Sequence, residues 1–142
     1  MTKLNPYLTY QGKAEEAFKF YKSVFGGEFS SVQRFKDTPE GDKVSAAEKD
    51  KIMHIALPIG NGVTLMASDM LDSRGKISAG DNFSLSIIVD SKQEADRVFN
   101  GLSKGGKAEM PMQKTFWGDY FGMLTDRFGI HWMVSFPESR PQ

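Results

Sequence analysis

Cysteine is absent from this chain of 142 residues, which excludes disulfides, thiolate nucleophiles and Cys-ligated zinc. An excess of either charge is missing too, since 18 Lys and Arg stand against 18 Asp and Glu. A general polyanion binder carries a basic face, and no run of like charges announces one, so no nucleic-acid partner is expected. Histidine is scarce, with only His54 and His131, and the two share no ligand spacing. No apolar run approaches a membrane span, and the opening "MTKLNPYLTY" lacks the basic-then-apolar plan of a signal peptide. A cytoplasmic domain with no membrane partner is the expectation. Ser68, Ser84, Ser86 and Ser135 fall in or beside strand-like segments, with no nucleophile elbow near any of them.

What the sequence does have is a repeated order of elements. Ala14, Ala17, Phe18, Tyr21, Val24 and Phe25 recur at helical spacing, which predicts a helix from about Lys13 to Phe25, stopped by Gly26-Gly27. Ala95, Val98, Phe99 and Leu102 predict a second helix from about Lys92 to Ser103, with a capping box of Ser91 and Glu94 at its start and Gly105-Gly106 at its end. A short apolar strand precedes each helix, "NPYLTY" and "NFSLSIIV", and three strand-like segments follow each. The chain thus reads β-α-β-β-β twice. An ungapped shift laying Glu16-Ala17 on Glu94-Ala95 also lays Tyr21 on Phe99. The polar stretch from Lys36 to Lys51 reads as a long loop, and Asp69 to Asp81 as a linker inside one domain. The expectation is a single α+β domain over 1–142, with module one at about 1–70 and module two at about 80–137.

Three stretches carry a resemblance: "NPYLTYQGKAEEAFKFYKSVFGGE", "LMASD" and "KTFWGDYFGMLTDRFGIHWMV". With the doubled order of elements, they resemble the PhnB-like branch of the vicinal oxygen chelate superfamily, the group of glyoxalase I, bleomycin resistance proteins and extradiol dioxygenases. That branch is often labelled a 3-demethylubiquinone methyltransferase domain. The resemblance implies the glyoxalase/bleomycin-resistance fold, two βαβββ modules forming curved mixed sheets, and a homodimer. It also implies a divalent metal in the cup of each sheet, held by His, Glu or Gln from first and last strands. Those positions fall near Pro6 and Ser84, Leu65 or Met66, and Met133, none a normal ligand for such an ion. No metal and no cofactor are therefore expected. A methyltransferase would need a doubly wound sheet with a Gly-rich turn, and the order of elements does not predict one.

For acid–base chemistry His54, Glu109, Asp119 and Asp126 are the available groups, although Asp126-Arg127-Phe128-Gly129 reads as a turn capped by its Asp. For binding, the expectation is a small-molecule ligand of unknown identity, apolar or aromatic. It would sit in a cup lined by Tyr7, His54, Met66, Ser84, Ser86, Phe116, Trp117, Tyr120 and Met133. Methionine adapts to irregular apolar ligands, and the rings of "TFWGDY" are placed to clamp one over Gly118. Two readings compete: a metal-dependent lyase, isomerase or dioxygenase-like enzyme with His54 as donor, and a dimeric structural module without ligand.

Overall fold

The computed structural model describes residues 2–39 and 41–138. Its regular elements are β1 (Tyr7–Tyr10), α1 (Ala14–Phe25), β2 (Ser31–Arg34), β3 (Ile52–Gly60), β4 (Val63–Asp69), β5 (Leu85–Ile88), α2 (Lys92–Ser103), β6 (Lys107–Lys114), β7 (Tyr120–Thr125) and β8 (His131–Phe136). Both expected helices form, and the doubled order is exact at the level of topology. One sheet runs β1-β4-β3-β2 and the other β5-β8-β7-β6. In each, the first strand pairs parallel with the last, and the other pairings are antiparallel. The chain is α+β, and it divides into two compact units, residues 1–78 and 79–142.

In the first unit, α1 packs on β3 and β4. Its Ala14, Ala17, Phe18, Tyr21 and Val24 are buried, and the sheet answers with Leu8, Tyr10, Ile55, Leu57, Leu65 and Ala67. Each aliphatic side chain buried in this way contributes about 1.5–3 kcal/mol. The Tyr10 and Tyr21 hydroxyls meet at 2.8 Å in the buried layer, so β1 turns Leu8 and Tyr10 toward α1. Strand alternation then turns Tyr7 and Thr9 to the opposite, helix-free face.

In the second unit, α2 packs on β6, β7 and β8, burying Ala95, Val98, Phe99 and Leu102 against Leu124, Trp132 and Val134. Gly122 makes this closeness possible, because a Cβ there would stand 2.6 Å from Met112 Sδ and 2.9 Å from Phe99. Helix α2 begins as the sequence predicts, with the Ser91 hydroxyl accepting from the Glu94 amide at 3.0 Å. The Glu94 carboxylate, however, accepts from Arg97 Nε at 3.0 Å rather than closing the capping box.

In the stretch predicted as a loop, Lys36 to Lys51, the described residues are more ordered than their polarity suggests. Three single 3-10 turns cover 35–37, 41–43 and 46–48. A two-pronged contact anchors its start, with Arg34 Nη1 and Nη2 donating to Glu15 Oε1 and Oε2 at 3.0 and 2.6 Å. That bond holds the Glu15 carboxyl below the ordinary carboxylate range and raises Arg34. At the far end, the buried Glu48 accepts from the Asp72 amide at 2.8 Å, tying this segment to the one that follows β4.

Candidate ligand-binding site

The helix-free face of the first unit's sheet is built by alternation and one irregularity. Register pairs Tyr7 with Met66 and Thr9 with Ser68, and cross-strand partners share a face. On β3 the register slips opposite Gln33 and Arg34. Ile52 and Ile55 are buried while Met53 and His54 between them are half-buried. A bulge of this kind turns two successive residues outward. Regular alternation would put Ile52 on the face of His54; the slip moves Ile52 into the core and replaces it with Met53.

Above this face lies a cleft of about 790 Å³. Thr9, Met53 and Ser68 supply its floor, and the 3-10 segment after β2 supplies Phe35, Thr38, Lys43 and Val44. The segment after β4 supplies Met70, Leu71, Ser73 and Arg74. Its volume falls in the range of pockets that enclose drug-sized ligands. Asp69 lies at the boundary between the cleft and the core, with each carboxylate oxygen engaged from behind. Oδ1 accepts from the Gly12 and Ala14 amides at 2.9 and 3.0 Å, and Oδ2 from the Ile52 amide at 2.9 Å. Its charge is therefore met by backbone dipoles, including one at the start of α1.

The nine residues expected to line one cup divide by unit and by face. Tyr7, His54 and Met66 come together in the first unit, in the row beside the cleft floor. The Tyr7 and His54 rings lie 6.1 Å apart, and His54 Nδ1 is 3.2 Å from the Ser31 hydroxyl. In the second unit Ser86 pairs with Met133, and Met133 with Met123. Ser84 precedes that row. Leu124, Gly122 and Trp132 mark the helix side of the sheet, so Met123, Met133 and Ser86 lie on the other face. Phe116 and Trp117 sit in the loop before β7, their rings 4.9 Å apart in an edge-to-face pair. Trp117 leans on Phe121, at 6.1 Å, and donates from Nε1 to Asp119 Oδ2 at 3.2 Å. Phe116 is 97% exposed.

Tyr120 stands apart from the others, on the helix side. Its hydroxyl donates to Asp96 Oδ1 of α2 at 2.5 Å, and Lys92 Nζ lies 4.9 Å from its ring centre. The bond to Asp96 pushes the phenol up to about 12.

The remaining titratable candidates are built into turns and strands. Asp126 Oδ1 accepts from the Phe128 and Ile130 amides at 2.8 and 3.1 Å, and Oδ2 from Trp132 Nε1 at 2.9 Å. It caps the turn, as its sequence context predicts. His131 uses both ring nitrogens: Nδ1 lies 2.8 Å from the Thr125 hydroxyl and Nε2 3.1 Å from the Gly80 carbonyl. Thr125 in turn donates to Glu109 at 3.0 Å.

The metal centre implied by the resemblance can be tested on the donors present. The first- and last-strand positions hold Pro6 and Met66 in the first unit, and Ser84, Ser86 and Met133 in the second. Imidazole and carboxylate donors are missing from all of them, and these residues do not fit a site for a divalent ion. Among the described residues, no three His, Cys, Asp or Glu side chains gather where they would hold an ion.

The sequence reading passed over Thr9, Phe35, Val44 and Arg74. A signal for two of them was available. Phe35 and Val44 are apolar residues flanking an otherwise polar stretch, the mark of a segment that folds back onto something.

Comparison with known proteins agrees with this architecture. A family model described as 3-demethylubiquinone-9 3-methyltransferase matches residues 2–135. Protein YjdN of Escherichia coli K12 is 32% identical over 144 residues, covering 97% of each chain. Protein PA1353 of Pseudomonas aeruginosa superposes with a TM-score of 0.86 at 41% identity, over 98% of this chain and 100% of that one. A Bacillus cereus structure described as a putative 3-demethylubiquinone-9 3-methyltransferase, PhnB protein, superposes at 0.75 with 28% identity, over 95% and 99% of the two chains. Solved glyoxalase/bleomycin resistance proteins match at 16% identity with TM-scores of 0.61 and 0.66, which shows the shared fold alone.

Proposed function

The chain belongs to the 3-demethylubiquinone-9 3-methyltransferase-like (PhnB) family, and from that premise we propose that it binds a small, largely apolar molecule in the cleft of its first unit, without a conventional metal centre. One observation carries the reading. The cleft of about 790 Å³ joins a floor of Met53 and the hydroxyls of Thr9 and Ser68, on the helix-free face, to walls of Met70, Val44 and Leu71. Thioethers and aliphatic groups accept varied apolar shapes, and a few convergent polar groups fix orientation.

The methyl transfer in the family's description does not come with the fold. The turn from β1 to α1 holds one glycine, Gly12, and the turn from β5 to α2 holds none. Both sheets are mixed and four-stranded, without the parallel switch point at which doubly wound folds hold a nucleotide. A metal-dependent lyase or isomerase would draw on His54, whose described side-chain neighbours are the Ser31 hydroxyl and the Tyr7 ring; the donor set around it does not support that reading.

A homodimer forms part of the proposal. It follows from the resemblance, and the exposed Phe116 beside Trp117 is the kind of aromatic anchor that association covers. Sedimentation should report a dimer that Phe116→Ser weakens; an unchanged mass would remove this loop from the interface.

The binding claim is tested by titrating the neutral dye N-phenyl-1-naphthylamine. Ser68→Trp, which fills the floor, should weaken its binding roughly tenfold or more, equivalent to about 1.4 kcal/mol. Equal binding by the variant and the parent would refute the cleft as the site.

A further inference from the structure

The cleft is not evenly apolar, and a guanidinium stands in its lining. Arg74 supplies it, in the turn over 72–74. The one acid at its boundary, Asp69, is turned inward, with both oxygens receiving backbone amides at 2.9 to 3.0 Å. Asp72, two residues before Arg74, is directed elsewhere: it accepts from Gln11 Nε2 at 3.2 Å and from Lys51 at 3.4 Å. Glu48 likewise faces Lys51, at 3.7 Å. Among the described residues the Arg74 guanidinium meets no carboxylate within ion-pair distance. The segment thus sets its acids against Lys51 and leaves an arginine at the cleft. Thr9 and Ser68 add hydroxyls that make no side-chain hydrogen bond among the described residues, directly across from one another on paired strands.

We infer that the cleft selects an amphipathic organic anion, with its oxyanion at Arg74 and its apolar body against Met53, Met70 and Val44. This rests on the proposed binding in the same cleft. The physical reason is complementarity. A carboxylate, sulfonate or phosphate group accepts two parallel N–H bonds from one guanidinium, a match that a neutral ligand cannot make. The hydroxyls of Thr9 and Ser68 accept or donate as required, so they accommodate a polar substituent elsewhere on the ligand. An apolar molecule without charge fills the same walls but leaves the guanidinium bonded to water.

Two dyes with the same ring system separate this inference from the reading beneath it. 8-Anilinonaphthalene-1-sulfonate carries the anion and N-phenyl-1-naphthylamine does not. The sulfonate should bind the full chain at least tenfold more tightly than the neutral dye in low salt, and the advantage should shrink as salt screens the pair. Arg74→Gln should remove roughly tenfold from the sulfonate's affinity and far less from the neutral dye's, while Arg74→Lys should recover part of the sulfonate's loss. Arg74 is exposed in a short turn, so the variant is expected to fold, which its thermal melt checks. Equal binding of both dyes, or an Arg74→Gln variant that holds the sulfonate as tightly as the parent, overturns the anion selectivity and leaves cleft binding standing. A sulfonate that binds Ser68→Trp as well as the parent sits outside the cleft and overturns the inference outright. If neither dye binds, the reading of the cleft itself fails.

Discussion

Asp69 shows how much one side chain can fix. It lies at the end of β4, beside the cleft, yet it accepts from Gly12, Ala14 and Ile52, joining the start of α1, the start of β3 and the base of one cleft wall. Helix α1 has Lys13 at its N-cap with no side-chain cap of its own, so Asp69 does through tertiary contact what a local Ser or Asp does elsewhere. Asp69→Asn swaps one acceptor for a donor facing backbone amides, and should cost about 2–4 kcal/mol of stability. Chemical denaturation measures it; a change under about 0.5 kcal/mol would show that water or rearrangement replaces the lost bond. Nothing local to Asp69 points to this role. "LMASD" ends like a strand running into a turn, and the amides that Asp69 serves are far away along the chain.

Elements were more legible than contacts. Both helices, their ends and the β-α-β-β-β order follow from periodicity and glycine placement, because those signals are local. The bulge on β3 was not legible, since an extra residue in a strand is set by pairing with β2 and leaves no mark in hydrophobic alternation. That single slip decides that Met53, and not Ile52, reaches the cleft floor. The folding of 36–51 was hidden for a related reason: 3-10 turns lack a hydrophobic period, and its anchors, Arg34 on Glu15 and Glu48 on the Asp72 amide, are tertiary. In the second unit the equivalent tie between helix and sheet is Tyr120 on Asp96. The folded chain holds the Tyr120 proton more tightly than the unfolded one, from an ordinary 10.0 up to about 12. The stabilising effect is therefore complete below the unfolded value and fades as pH rises through the folded one. Parent and Tyr120→Phe should differ in urea midpoint at pH 8, and the gap should narrow between about pH 10 and 12. A gap that stays constant across that window would place the stabilisation in ring packing and not in the hydrogen bond.

For the molecule as a whole, charge balance and composition removed classes of function without naming one. No helix among the described residues is long and apolar enough to cross a membrane, and the family and fold are those the resemblance implied. Site residues were harder, because a curved sheet presents two faces and the sequence gives parity but not which face a loop covers. Tyr7, His54 and Met66 lie on the helix-free face in the row next to the cleft, while Tyr120 lies on the helix side, its hydroxyl held by α2. The central claim is that this cleft holds the ligand. Amide chemical shifts, followed residue by residue during addition of N-phenyl-1-naphthylamine to isotope-labelled protein, test it most directly. The account predicts the largest changes at Thr9, Met53, Ser68 and Met70, with Met123 and Met133 little affected. Changes concentrated on β7 and β8, or none at saturating dye, would contradict it.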